Sequence, residues 1–396
     1  MRRNKYLIMV CLFLIAVLSI SEAAYAQKKQ NFDSIIKANT ALMYKNPDKA
    51  IATGLELIKA TGDNIDAKIR AYKLVSDGYS SKRDYEKSLE YVIKANELLP
   101  RTNNKLLKIS IVAKTGIQYH QLKIYDKAIK YLDEAEQLCM EFPHKDSIHG
   151  SLGVNYIVRG FIYKDKLNCD IAISFFDKGI NELLTASKIH KNLSNHASSL
   201  SIAKYNKGNC YLMMSDNKLA IKNFEESIYY AKVIKANSLQ AFAQKGLSQV
   251  YSSEGNYNGA ITILNDALRI SKDVDDLVLN EELYRLLSVN YLALNKWDQY
   301  QDTRLKYLKN QTDLMKRERK SVSESLNEKE NQEQKNIENC TSKFWGGITL
   351  LVLVLVFVIL FFVLSIKKTK VAIAKLEQKI SFLQNDTSDN GIKNGN

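Results

Sequence analysis

Small and apolar residues recur at fixed offsets from six tyrosines along the chain, which are Tyr79, Tyr119, Tyr163, Tyr211, Tyr251 and Tyr291. A small residue precedes each tyrosine by three positions: Ser76, Gly116, Gly160, Gly208, Ser248 and Ser288. In five copies a second small residue follows the tyrosine by nine positions: Ser88, Ala128, Ala172, Ala220 and Ala260. Small residues allow helices to approach closely. The pattern therefore predicts that each copy is a pair of antiparallel helices, with a turn between the tyrosine and the second small residue.

Polar and aromatic pairs mark the predicted starts of the second helices, namely Asp84-Tyr85, Tyr125-Asp126, Asn256-Tyr257 and Lys296-Trp297. An earlier copy contains Asn46-Pro47-Asp48, where proline suits the first turn of a helix. One helix pair is too small to bury its own apolar face, so the copies should stack into a continuous core. The sequence therefore predicts an all-α solenoid over residues 27–310.

These offsets resemble those of the tetratricopeptide repeat, and the resemblance covers residues 31 to about 310 in seven copies. It implies about seven helical hairpins whose first helices line a concave face. The tyrosines are 40 to 48 residues apart, which is longer than the family's repeat of about 34 residues. Longer helices, or loops between copies such as Thr185–Ser199, would account for the difference.

The resemblance also implies which positions of the first helices face a ligand. The candidates are Arg70, Lys73, Ile117, His120, Ile157, Phe161, Tyr205, Asn209, Leu212, Lys245, Gln249 and Arg285. Their centre is apolar and aromatic and their flanks are basic, which favours docking of a protein or peptide segment. Packing between repeats is the alternative role for Phe161 and Tyr205. Lys73 is followed four residues later by Asp77 rather than asparagine, so a ligand with a free C-terminal carboxylate is not supported.

Residues 344–366 read FWGGITLLVLVLVFVILFFVLSI and contain no charge, proline or amide side chain. A helix of this length spans roughly 34 Å, enough to cross a hydrocarbon core of about 30 Å. Aromatic residues precede the run, and Lys367, Lys368 and Lys370 follow it. We therefore predict a single transmembrane helix. Its basic side faces the cytoplasm, according to the positive-inside rule.

Residues 1–26 have the layout of a secretory signal peptide, with three basic residues, an apolar run and Ala24-Tyr25-Ala26 before the cleavage site. An uncleaved signal anchor is the alternative. Export predicts that residues 27–343 lie outside the cytoplasm and that residues 367–396 lie inside. The expected location is the inner membrane, with one span.

The segment between repeats and membrane, residues 311–343, contains strong helix formers and neither glycine nor proline. It predicts a helical linker, with a disordered tether as the alternative. After the span, Ile373, Leu376, Ile380 and Leu383 form a short heptad seam, which predicts a coiled-coil tail able to pair two copies of the chain. Cys340 could also bridge two copies.

The net charge of +14 comes from bases interspersed with acids, which is typical of a solvated surface rather than of direct nucleic-acid binding. We find no catalytic motif, no metal-ligand spacing among histidines and cysteines, and no cofactor motif, so we expect no enzyme activity.

The order of repeats, span and coiled coil resembles that of bacterial membrane-bound sensor-regulators with tetratricopeptide repeats outside the cytoplasm. In those proteins a cytoplasmic output module follows, whereas residues 367–396 hold none. Our hypothesis is a non-enzymatic sensor or adaptor that binds a protein or peptide in the periplasm and relays its binding to a separate cytoplasmic output protein. The alternative is a static envelope scaffold for protein assembly.

Overall fold

A computed structural model describes residues 32–40, 46–272 and 276–391. The predicted signal peptide, residues 1–26, lies outside these described residues. Within them the chain is helical and contains no strand. The helices are α1 (residues 32–40), α2 (Pro47–Ala60), α3 (Ile65–Ser81), α4 (Tyr85–Glu97), α5 (Lys105–Gln121), α6 (Tyr125–Met140), α7 (His149–Asp165), α8 (Cys169–Ile189), α9 (Ser194–Met213), α10 (Asn217–Val233), α11 (Asn237–Ser253), α12 (Tyr257–Ile270), α13 (Leu277–Ala293) and α14 (Trp297–Gly391).

Successive helices pair into seven hairpins, from hairpin 1 (α1 and α2) to hairpin 7 (α13 and the start of α14). The predicted all-α solenoid is therefore confirmed. From α2 to α13, the second helix of each hairpin packs against the first helix of the next hairpin. The buried apolar side chains form a series of clusters along the stack. No hairpin could bury these side chains alone, so the core belongs to the stack as a whole.

The turn inside each hairpin has the same backbone geometry in all six copies that contain a repeat tyrosine. The residue four positions after the tyrosine has a positive φ: Arg83, Lys123, Leu167, Ser215, Gly255 and Asn295. The next residue donates its backbone N–H to the tyrosine carbonyl oxygen at 2.9–3.0 Å. This bond satisfies a carbonyl group at the end of the first helix, and the second helix begins one residue later.

Small residues bring the two helices of a hairpin together, as the offsets predict. A Cβ atom added to Gly160 would lie 2.5 Å from Cε1 of Phe176, and one added to Gly208 would lie 2.7 Å from the same atom of Phe224. In hairpin 2, a serine replaces the glycine, and the Ser76 hydroxyl lies 2.8 Å from the carbonyl oxygen of Ser88. In hairpins 4 and 5 the phenylalanine ring therefore occupies the space beside the glycine.

The extra length of the central repeats is in their helices. Helix α8 has 21 residues and α9 has 20, compared with 17 for α3 and α5. Most of the segment predicted as a loop, Thr185–Ser199, therefore belongs to these helices, with a short connection at residues 190–193.

Helix α14 includes residues 311–343 and the apolar run 344–366. The chain divides into two compact units, Met1–Lys316 and Arg317–Asn396. In the second unit, residues Ile337–Ser381 form a helix that is long and apolar enough to cross a membrane, with a mean hydropathy of 3.3 in its most apolar window. None of that window is buried, and Phe357 is 72% exposed. An exposed apolar surface of this kind is compatible with a single membrane span.

Candidate functional site

All twelve predicted site residues lie on the first helices of hairpins 2 to 7. We call the surface formed by α3, α5, α7, α9, α11 and α13 the first-helix face. Each of these helices contacts the next first helix in the stack, from α3 with α5 to α11 with α13. Among the described helices, no second helix makes a comparable contact with the next second helix. The first helices therefore lie closer to one another along the stack than the second helices do.

The basic side chains at the flanks of this face form ion pairs with carboxylates, two of them across to a neighbouring first helix. On the N-terminal flank, Nη1 of Arg70 lies 2.5 Å from Oδ1 of Asp33. On the C-terminal flank, Nη2 of Arg285 lies 3.1 Å from Oε2 of Glu282 and Nζ of Lys245 lies 3.8 Å from the same atom. These pairs reduce the positive charge that the sequence alone suggests. The Arg70–Asp33 and Lys245–Glu282 pairs also link one repeat to the next, whereas Arg285 and Glu282 lie on the same helix, α13.

Asp77 joins hairpins 2 and 3 through two lysines. Its carboxylate oxygens lie 2.8 Å from Nζ of Lys73 and 2.6 Å from Nζ of Lys114. Burial acts to raise the pKa of this carboxyl group, but the two ammonium groups outweigh burial and hold the pKa of Asp77 below its usual value. Lys73 is therefore part of a charged contact between repeats.

The centre of the first-helix face is aromatic. The half-buried Phe161 ring has its centroid 5.8 Å from the His120 ring and 5.7 Å from the Phe176 ring. One hairpin further on, the Tyr205 ring lies 5.9 Å from Phe224 and 6.2 Å from Phe242.

The ammonium group of Lys245 lies over two of these rings, 5.8 Å from the Tyr205 centroid and 5.6 Å from the Phe242 centroid. Such cation–π contacts favour this arrangement of the three side chains. The same lysine also approaches Glu282, so it connects the aromatic centre to the C-terminal flank.

Two amide side chains close to this aromatic centre have no hydrogen-bond partner among the described residues. Asn209 on α9 and Gln249 on α11 stand at the same position of successive repeats, two residues before the tyrosine. Both are half-buried, and neither forms a side-chain hydrogen bond with any residue that the structure describes. An amide offers one acceptor and two donors, so each can still bind the backbone of a partner chain.

Two of the predicted residues are buried and face the core. Ile157 is 4% exposed and packs against α8, where its Cγ1 occupies the space beside Gly179. His120 is 7% exposed, and its Nε2 lies 3.4 Å from Oδ2 of Asp165. Burial lowers the pKa of His120 below its usual value, although Asp165 opposes this effect. These two side chains lie beneath the first-helix face and pack against the residues that form it.

The remaining predicted residues, Ile117 and Leu212, are half-buried on α5 and α9 and pack against neighbouring hairpins. Sequence reasoning missed Phe242 and Glu282. Both stand nine residues before a repeat tyrosine, the same position as Arg70. Applying that offset to every repeat would have identified them.

No group of three or more histidine, cysteine, aspartate or glutamate side chains that could hold a metal ion occurs among the described residues. The aromatic, apolar and amide side chains of this face can stack, bury apolar surface and form hydrogen bonds.

Residues 198–273 match the family model of the tetratricopeptide repeat. No curated protein matches the sequence. Among solved structures, NprR in complex with its cognate peptide NprX is similar, with a TM-score of 0.50 and 14% identity over 71% of this chain and 77% of NprR. The similarity to NprR shows a shared fold.

Two further solved structures are also similar. One is a signal-transduction ATPase with a tetratricopeptide-repeat sensor from Pyrococcus horikoshii, with a TM-score of 0.49 and 15% identity over 72% of this chain and 47% of that one. The other is a Rap protein complexed with competence and sporulation factor, with a TM-score of 0.47 and 12% identity over 73% and 99%.

Proposed function

We propose that this chain, a tetratricopeptide-repeat protein, is a membrane-anchored, non-catalytic receptor that binds an extended protein or peptide segment on its first-helix face. The observation that carries the proposal is the pair of unpartnered amides, Asn209 and Gln249, beside the aromatic side chains of Tyr205 and Phe242. An extended segment presents backbone N–H and C=O groups at regular intervals, which such amides can bind while apolar side chains contact the rings.

The arrangement of the face favours binding in a second way. Ion pairs and cation–π contacts hold Arg70, Lys245 and Arg285 in place before any ligand arrives. A surface that is already ordered loses less conformational entropy on binding, so more of the contact energy contributes to affinity. The NprR structure contains a cognate peptide, and a ligand of that class is consistent with the same fold here.

The placement of the repeats outside the cytoplasm is part of the proposal. It is supported by the signal-peptide pattern of residues 1–26, by the exposed apolar helix that includes residues 344–366 and by the lysines that follow it. Residues 367–396 then lie in the cytoplasm, where a separate output protein binds the tail. Binding on the first-helix face is relayed to this protein through α14.

Purification of the full-length chain in detergent, followed by incubation with envelope extract and identification of the retained peptides, tests the binding proposal. The double variant Asn209→Ala/Gln249→Ala should lower retention of the wild-type ligand about tenfold or more, since it removes two hydrogen-bonding groups worth roughly 1 kcal/mol each. Asn258→Ala, an exposed amide on α12, is the matched control and should leave retention unchanged. Equal retention by the double variant would refute the assignment of this face.

A static scaffold is the second candidate, and the ion pairs between repeats favour it because they stiffen the stack. Deletion of residues 371–396 separates the two functions. A receptor that relays its ligand loses the cellular response but keeps ligand binding. A scaffold keeps both.

A further inference from the structure

Two cysteine thiols meet where hairpin 4 packs against hairpin 5. Cys169 is the first residue of α8, and Cys210 lies near the end of α9; both belong to one core cluster. The sulfur of Met213, which stands one helical turn after Cys210 on α9, lies 4.0 Å from Sγ of Cys169. After burial, the neighbouring Cys169 thiol also acts to raise the pKa of the Cys210 thiol. Both cysteines are free thiols in this structure.

The two thiols differ in their access to solvent. Cys169 borders an open cleft on the molecular surface, with Lys166, Asn168, Met213 and Met214 among its lining residues. Cys210 is 0% exposed, and burial raises the pKa of its thiol to about 12. A reagent that enters the cleft therefore reaches Cys169 first, because Cys210 is buried in the core.

We propose that Cys169 and Cys210 are a dithiol site that a thiol–disulfide oxidant of the cell envelope converts into a disulfide bond between hairpins 4 and 5. The cellular part of this inference rests on the extracytoplasmic placement proposed above, because disulfides persist in oxidising compartments. The sequence shows no CxxC motif, and the two cysteines come together only through the packing of α8 on α9.

The reaction is two successive exchanges. The Cys169 thiolate attacks one sulfur of the oxidant's disulfide, which forms a mixed disulfide and releases one thiolate of the oxidant. Cys210 then gives its proton to the released thiolate and attacks the sulfur of Cys169, which expels the second thiolate. The second thiolate takes up from water the proton that Cys169 lost on becoming a thiolate. The two protein thiols are thus oxidised to one disulfide and the oxidant's disulfide is reduced to two thiols.

The bond would act on the binding face because Cys210 directly follows Asn209 on α9. Helix α9 also carries Tyr205. A link from α9 to α8 fixes this helix relative to hairpin 4, so the redox state of the pair sets how rigidly the centre of the first-helix face is held.

Oxidised glutathione added to the purified full-length chain tests the proposal. Free thiols are then blocked with maleimide, and the peptides are analysed by mass spectrometry. We expect a peptide pair linked through Cys169 and Cys210, and a rise in the unfolding temperature of about 5–10 °C that dithiothreitol reverses. Cys139→Ser, a change at another buried cysteine in a different core cluster, should leave the link intact. Cys169→Ser and Cys210→Ser should each abolish both effects.

Maleimide on both thiols after oxidation, or glutathione held on Cys169 without a link to Cys210, would overturn the proposal. The oxidation experiment uses purified protein, so its outcome is independent of the side of the membrane on which the repeats lie. An error in that placement would appear instead in the labelling of Cys340 described below.

Discussion

A left-handed residue closes every hairpin that contains a repeat tyrosine, yet only one of the six is a glycine. Non-glycine side chains pay about 1–2 kcal/mol for this conformation. The chain tolerates the strain because the backbone N–H of the following residue reaches the tyrosine carbonyl. The position is therefore fixed by hydrogen bonding rather than by the local preference of the residue.

Leu167→Gly should stabilise the protein. Leu167 has φ +58° and is 77% exposed, so glycine removes the strain with little loss of packing. Relief of strain exceeds the entropy that glycine adds to the unfolded chain, and we expect a gain of about 0.5–1 kcal/mol in the free energy of unfolding. Thermal unfolding followed by circular dichroism measures it. Gly255→Ala, the reverse change at the equivalent position, should destabilise by a similar amount.

His120→Gln should reduce the loss of stability between pH 7 and pH 5. Burial lowers the pKa of His120, with Asp165 opposing and Lys123 and Lys164 adding to the shift. As the pH falls through the unfolded value of about 6.5, the unfolded chain takes up the proton before the folded chain does, so folding is progressively disfavoured. Chemical unfolding at several pH values measures this slope.

At the scale of the helices, the fit between a small residue and a large ring sets how closely each hairpin closes. Gly160 and Phe176 meet in hairpin 4, and Gly208 and Phe224 repeat the arrangement in hairpin 5. In hairpins 2 to 4 the repeat tyrosine also stacks on a ring of the second helix, with centroids 5.6, 5.4 and 5.3 Å apart. The spacing of the two helices in a hairpin therefore depends on how the facing side chains fit together, more than on the identity of any one residue.

Gly160→Ala should destabilise the protein by about 1–2 kcal/mol. The new methyl group would lie 2.5 Å from Phe176, and the cost of overpacking, about 1–3 kcal/mol, exceeds the gain of up to about 1 kcal/mol in helix propensity. The double variant Gly160→Ala/Phe176→Leu tests the mechanism, because the smaller side chain makes room for the methyl group. Its loss of stability should be smaller than the sum of the two single losses. Strict additivity would show that the two residues do not compete for space.

At the scale of the whole molecule, the chain combines a polar solenoid with an exposed apolar helix. Residues 344–366 carry large apolar side chains that no described residue covers. In water such a surface would aggregate, whereas lipid chains cover it without cost. The apolar surface of the second unit is therefore compatible with a single membrane span.

Cys340 should react with a membrane-impermeant maleimide in intact spheroplasts. It is the exposed cysteine among the four that the structure describes, and it lies four residues before Phe344. Ser381→Cys in a Cys340→Ser background moves the thiol to the predicted cytoplasmic side and should label only after the membrane is permeabilised. Gel shift of the labelled chain measures both. The opposite pattern would place the repeats in the cytoplasm and contradict the proposed receptor.

The sequence by itself determined the hairpins. Offsets around the six tyrosines predict where each turn lies, and Tyr85, Tyr125, Tyr257 and Trp297 are indeed the first residues of their helices. This succeeds because small residues, turns and helix starts are local features that recur with every copy. The apolar run 344–366 was equally plain, since its length and composition are properties of one continuous segment.

Tertiary structure alone decided what surrounds each candidate side chain. Asp33 pairs with Arg70 and Glu282 pairs with Lys245, two cations that the sequence presents as basic flanks, and Ile157 faces the core rather than a ligand. The meeting of Cys169 with Cys210 also depends on how α8 packs on α9. Contacts between repeats join residues many positions apart, and the angle at which one hairpin stacks on the next selects them. No local pattern encodes that angle, because it arises from the packing of all the side chains at the interface.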